Sequence, residues 1–286
     1  MIKQIDKLRR GFLWKGTDQA NGGSYLVQWK KVQRPKKLGG LGVLDLERFS
    51  RALRLRWLWF EWKEADWPWV GRALPITEAD WQLFRVSMTV TNVQLTTEDD
   101  QITWRWTSDG NYTAKSAYVA QFKGSYCSFG PTALWRAHAE GKHKFFTWLL
   151  VQEKLLTADK IQARNWQCNP SCALCNAEQE TAVHLCLHSP FAMQVCQLVR
   201  VWSRGSISVP SQGASVEEWW CDTLAVQPKQ ERRQAAALLM YTAWNLWKER
   251  NQRIFEGKAE EPWFVLQLIK EEMLLRFRAC GAPVVP

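Results

Sequence analysis

The stretch CNPSCALCNAEQETAVHLCLHS, residues 168–189, carries two thiols separated by two residues, Cys172 and Cys175, and then two imidazoles four apart, His184 and His188. Two thiolates and two imidazoles form the ligand set of a closed, tetrahedral structural zinc site. The spacing predicts the thiols on one tight turn and both histidines on one face of a helix. Eight residues separate the two pairs, fewer than the ~12 of a finger that reads bases. The expected site is therefore knuckle-like, with no base-reading helix implied. Cys-x-x-Cys is also the spacing of a redox pair, and His184 beside Cys186 is compatible with plain core packing. No βαβ pattern surrounds the motif, however, and four donors converge where redox chemistry needs two. Zinc is the cofactor this pattern points to, and Cys168 or Cys186 could replace one of the four ligands.

Around this knuckle lies a globular chain. Its 286 residues suffice for one large or two ordinary domains, and 46% hydrophobic with 23% charged residues excludes a disordered polymer. No charge-free apolar run approaches the ~20 residues needed to cross a bilayer. Lys3, Asp6, Lys7, Arg9 and Arg10 follow Met1 without an apolar stretch, so no secretory signal is expected. An intracellular, reducing location follows, where the eight cysteines act as thiols and ligands and not as a disulfide framework.

The charge is unevenly placed. Residues 1–60 hold 14 Lys/Arg against 4 Asp/Glu, a net of +10, while the remaining 226 residues hold 24 of each. Concentrated Lys and Arg favour a polyanion, because neutralising phosphates releases counterions. RNA or DNA is thus the expected partner, with no membrane and no small-molecule substrate. Lys30, Lys31, Arg34, Lys36 and Lys37 fall within eight positions around Pro35 and are the candidate nucleic-acid contacts. Solvation of a helix face is the competing role for such residues. Gly39, Gly40 and Gly42 lack the strand–turn–helix context and the Gly-Lys-Ser/Thr ending of a phosphate-binding loop.

The expected fold is mainly α: a helical N-terminal segment, a small β-hairpin plus helices around the zinc knuckle, and a helical C-terminal tail. Residues 1–65 form the basic helical segment, 66–100 an irregular linker, 101–203 the zinc-binding domain, 204–230 a loop-rich connector and 231–286 the tail. SYLVQWKKV (24–32) reads as a strand or extended stretch from its β-branched and aromatic content. In the helix from residue 45, Leu46, Phe49, Leu53, Trp57 and Phe60 step along one face that is expected to pack, with Arg48, Arg51, Arg54 and Arg56 on the rest. Asp109-Gly110 between aromatic runs is the hairpin signal, and helices are expected at about 131–138 and 143–165. Pro262 suits the first turn of the last helix, and Gly281 its end. The chain's 19 Trp residues are accounted for by burial in helical cores and need no ligand.

Several of these runs are familiar as a set. IDKLRRGFLWKG and VQWKKVQRPKKLGGLGVLDLERFSRALRLRWLW resemble the segment that follows the polymerase core in reverse transcriptases of plant LINE-type (non-LTR) retroelements. TWRWTSDGNYTAKSAYVAQF, LWRAHAEGKHKFFTWLLVQEKLLTADKIQARN and CALCNAEQETAVHLCLHSPFA resemble the zinc-binding domain of those polyproteins, and AWNLWKERNQRIFEG the tail beyond it. The resemblance implies a zinc-supported, nucleic-acid-associated role beside a polymerase portion, with Cys172, Cys175 and His184 as ligands. The family places a fourth ligand, a cysteine, just before the Pro-Phe-Ala-like run; Ser189 stands there, so the fourth position falls to His188 or Cys186. The family's aromatic-x-Asp-Asp polymerase turn is missing, since Asp99-Asp100 follow Thr97-Glu98. No nuclease carboxylate set can be assembled either. The expectation is a protein that is not an enzyme; the alternatives are a host-retained protein-interaction scaffold or a decayed element fragment.

Overall fold

The structure is a computed structural model, and it describes residues 1–17, 25–63, 103–125 and 130–281. The expected linker at 66–100, with Asp99 and Asp100, lies outside the described residues. The chain divides into two compact units, Met1–Gly23 with Trp29–Tyr126, and Ser24–Gln28 with Cys127–Pro286. The division falls inside the 101–203 segment. The described chain is mainly helical, and among the described residues there is no strand, only one isolated antiparallel bridge between Ser171 and Gln179.

The first unit contains α1 (Ile2–Lys15), α2 (Trp29–Val32), a 3₁₀ turn (Lys36–Leu38), α3 (Leu46–Lys63) and α4 (Ala114–Ala120). α3 and α4 pack together. Asp45 starts α3 by accepting the backbone N–H groups of Glu47 and Arg48, both at 3.1 Å. Its own N–H donates to the Tyr118 hydroxyl at 3.0 Å, which joins the two helices. Thr113 and Ser116 cap α4 reciprocally.

Three expectations are corrected in this unit. The buried face of α3 carries Ala52, Leu55, Leu58 and Trp59, whereas Leu53, Trp57 and Phe60 are exposed. This helix is apolar on more than one side, and periodicity alone cannot choose which side finds a partner. The hairpin at Asp109-Gly110 does not form. Residues 103–113 make a loop closed by Trp104 N–H donating to the Gly110 carbonyl at 2.7 Å. It is held because Trp104 and Tyr112, 4.7 Å apart at their ring centres, both join Trp59 in one aromatic cluster. Trp29–Val32 is a helical turn and not a strand, since Val32 and Gln33 are buried and Gln33 reaches back to Asp6 on α1.

The second unit contains α5 (Pro131–Arg136), α6 (Gly141–Val151), α7 (Ala158–Gln162), a π-type turn (His184–His188), α8 (Pro190–Trp202), α9 (Val216–Ala225), α10 (Arg232–Glu256) and α11 (Pro262–Cys280). The single helix expected at 143–165 is broken, because Glu153 adopts φ 51° and Leu155 turns into the core. α10 is the central element, packed by α5, α6, α8, α9, α11 and the π-type turn. Its stretch Ala235–Ala243 is buried on all sides, as a helix apolar all round must be. Pro190 and Pro262 occupy first-turn positions, Ser189 accepts the Ala192 N–H at 3.1 Å, and Gly281 ends α11 in the left-handed region.

A polar cluster around the buried His143 joins α6, α10 and α11. His143 lies 2.7 Å from Glu140 and 3.5 Å from Glu272, within ion-pair range, though neither ring nitrogen is aligned for a hydrogen bond. Tyr241 donates to Glu140 at 2.7 Å, and Asn245 and Lys248 both donate to Glu272 at 3.0 Å. Burial works to raise Glu272, but His143, Lys248 and Asn245 outweigh it and hold this carboxyl down at about 2.

Candidate metal centre

The knuckle is built by backbone bonds before any side chain converges. Cys172 N–H donates to the Glu178 carbonyl, Asn176 N–H to the Cys172 carbonyl and Glu180 N–H to the Pro170 carbonyl, each at 2.8 Å. Asn176 takes φ 57°, which closes the turn. The chain then enters the π-type turn, where Thr181 accepts the His184 N–H at 3.1 Å and Ser189 N–H bonds the His184 carbonyl at 2.7 Å. Such i→i+5 turns concentrate at functional sites.

This scaffold brings three of the four expected donors together. The ligand atoms of Cys172, Cys175 and His184 lie within 4.8 Å of one another. Cys175 Sγ is 3.3 Å from His184 Nε2, and His184 Nδ1 is 3.2 Å from a Glu178 carboxylate oxygen. A carboxylate behind a ligating imidazole fixes its tautomer and orientation. Burial lowers the His184 pKa, aided by nearby His188 and opposed by Glu178 and Glu180, so the neutral, metal-binding form is favoured. Burial pushes the Cys172 thiol up to about 11, with Cys175 beside it adding to the effect. Two thiols and an imidazole at this spacing fit a zinc ion, which the cysteines would bind as thiolates with release of their protons.

His188 is not one of the three clustered donors. Its Nε2 is buried without a hydrogen-bond partner, a donor left over beside the cluster. Cys186 is fully buried, and burial, with Cys196 and Cys172 nearby, drives its thiol far above the usual range. Cys168 is turned to the Ala158 carbonyl at 3.6 Å.

The centre is bolted to α10 by charges that a reading of local sequence misses. Glu180, 1% exposed, takes three contacts from the Arg250 guanidinium at 2.6, 3.1 and 3.1 Å, and accepts the Ala158 N–H at 3.0 Å. Arg253 donates to the Leu174 carbonyl inside the Cys172–Cys175 turn at 3.1 Å and is held by Glu249 at 2.7 Å. In sequence, WKERNQR (247–253) reads as a solvated helix face. The available signal is its position at the end of a helix otherwise too apolar to face water.

The candidate nucleic-acid residues lie elsewhere, in the first unit. Lys30 and Lys31 sit on α2, Lys36 and Lys37 on the 3₁₀ turn, and all four are exposed; Arg34, between them, is half-buried. The turn is tight because Gly42 N–H bonds the Arg34 carbonyl at 2.9 Å and a side chain at Gly40 would strike that same carbonyl.

Residues 112–195 match the family described as zinc-binding in reverse transcriptase. The whole chain is also similar, at 21% identity, to an Arabidopsis thaliana protein that carries a provisional ribonuclease H name. The chain spans 61% of that relative's length. No solved structure matches the chain significantly. No helix among the described residues is long and apolar enough to cross a membrane. Residues 112–195 are thus similar to the zinc-binding region of reverse transcriptases, and the Cys172–Cys175–His184 cluster lies within them.

Proposed function

We propose that this chain is the non-catalytic, zinc-stabilised and nucleic-acid-associated part of a plant LINE-type reverse transcriptase. The observation that carries the reading is the convergence of Cys172, Cys175 and His184 within 4.8 Å inside the stretch matched by the reverse-transcriptase zinc-binding family. His188 supplies the fourth donor, with Cys186 as the alternative. Zinc here contributes folding free energy by holding the 168–189 loop against α10, because a ligand set this short does not pre-exist in an unfolded chain. Lys30, Lys31, Arg34, Lys36 and Lys37 contact RNA or DNA, in the region that holds all of the chain's excess charge. The polymerase portion of such an element is the expected protein partner.

Protein purified under reducing conditions should contain about one zinc per chain by elemental analysis, and Cys175→Ser should lose it and loosen residues 165–195 in hydrogen exchange. A zinc-free preparation that remains folded overturns the metal assignment. Primer extension, nicking and cleavage of an RNA–DNA hybrid should all be absent. The hybrid assay matters because the Arabidopsis relative is named for ribonuclease H, and activity there would overturn the non-catalytic reading.

A second reading, a protein-interaction scaffold, is favoured by one observation: Leu53, Trp57 and Phe60 leave an exposed apolar stripe on α3, with Trp57 65% exposed. Nucleic-acid binding that weakens steeply with salt selects the first reading; no binding at low salt selects the second.

A further inference from the structure

The first unit holds a cleft of about 600 Å³ between α1, α2, the start of α3 and the segment after α4. Its walls carry six cations, Lys3, Arg10, Lys30, Arg34, Arg48 and Arg51, and three carboxylates, Asp6, Asp45 and Glu47. Two of the carboxylates are already committed. Asp6 is held by Arg9 at 2.9 Å and by Gln33 at 3.4 Å. Asp45 caps α3 and pairs with Arg48 at 3.5 Å. Glu47 is exposed in the first turn of α3. The side chains of Lys3, Lys30 and Arg34 have no carboxylate or hydrogen-bond partner among the described residues, so the cleft keeps a positive surplus.

Two further features shape it. The Trp29 indole N–H is buried and makes no hydrogen bond, while the Arg9 guanidinium stands 5.5 Å over the Trp29 ring. A buried donor without an acceptor costs free energy unless a ligand completes it. The half-buried Trp29 ring also gives the walls aromatic surface, whereas Phe122 is covered by the Arg48 guanidinium at 4.3 Å. Unpaired cations, an unfilled donor and one partly exposed indole in a nucleotide-sized cleft suit an unpaired strand: phosphates on the cations and a base against the open side of the indole.

We infer that this cleft is a binding site for single-stranded nucleic acid, with Lys3, Lys30 and Arg34 neutralising phosphates and the Trp29 indole N–H donating to one of their oxygens. This rests on the nucleic-acid reading above and extends it to Lys3 and Trp29. Those two residues lie outside the basic cluster at 30–37 that the sequence alone marks out.

The test is fluorescence anisotropy of the full chain with a labelled 12-nucleotide single strand, the duplex of the same sequence, and poly-glutamate, each across a salt titration. Circular dichroism checks that each variant is folded. Lys3→Gln combined with Arg34→Gln should lower the log–log salt slope by about 1.4 and weaken single-strand binding on the order of twenty-five-fold near 0.1 M salt. Trp29→Phe keeps the charge and the ring, so it should weaken binding about tenfold with the slope unchanged. Lys36→Gln with Lys37→Gln, outside the cleft, reports on the surface cluster alone. If the wild-type chain binds no strand, the underlying nucleic-acid reading fails and this inference with it. If the wild type binds and only the Lys36/Lys37 variant weakens, the cleft is overturned while that reading stands. Equal affinity for the duplex, or equally tight binding of poly-glutamate, overturns the single-strand assignment.

Discussion

Replacing Arg250 with Met tests how the knuckle is anchored. The Arg250 side chain is 5% exposed and that of Glu180 is 1% exposed, so the substitution strands a carboxylate inside the protein. Of its partners only the Ala158 N–H, at 3.0 Å, would remain. Breaking one side of a buried ion pair costs about 3–5 kcal/mol, most of it the penalty of leaving the other charge unpaired. For a unit of this size that corresponds to roughly 6–20 °C in Tm. The measurement is thermal and urea unfolding of the zinc-loaded protein, followed by far-ultraviolet circular dichroism. Zinc retention against a competing chelator is read in parallel. Zinc should be held less tightly, because Glu180 sits in the chain between Cys175 and His184. The double variant Glu180→Leu with Arg250→Met removes both charges and should recover most of the loss. A single variant within about 1 kcal/mol of wild type would refute the reasoning, as would a double variant no better than the single; either would mean that water reaches the carboxylate.

Two further outcomes follow from the same geometry. Glu178→Gln removes the carboxylate 3.2 Å behind His184 and should weaken zinc about 10–100-fold in a chelator competition, with the fold intact by circular dichroism. An unchanged affinity would show that Glu178 does not orient the imidazole. Glu272 has a folded-state pKa of about 2, below its ordinary value of 4.5. Its contribution to stability is therefore complete above pH ~4.5 and is lost as pH falls toward ~2. That contribution is at most about 3 kcal/mol, so Glu272→Gln should be less stable at pH 7 and show a shallower acid limb; an identical pH profile would contradict the assignment.

Local chemistry carries far in this chain. The Cys172–Cys175 turn, the His184 donor, Pro190 and Pro262 at helix starts and Gly281 at a helix end all depend on neighbours a few residues away. Short-range backbone geometry makes such features readable from spacing, and the mainly helical class follows from the same periodicity. Which face of α3 is buried was decided only in three dimensions. Ala52, Leu55 and Trp59 are chosen over Leu53, Trp57 and Phe60 because α4 and the Trp104–Tyr112 loop happen to cover that side. The hairpin failed for a related reason: two aromatic side chains gained more from packing on Trp59 than a pair of short strands would gain from a few exposed backbone bonds. Glu180 and Arg250 are 70 residues apart, and neither looks unlike a surface charge in its own segment. A sequence read locally carries no record of such a pair, because its energy depends on the exclusion of water from both partners at once, and only the tertiary structure brings that about.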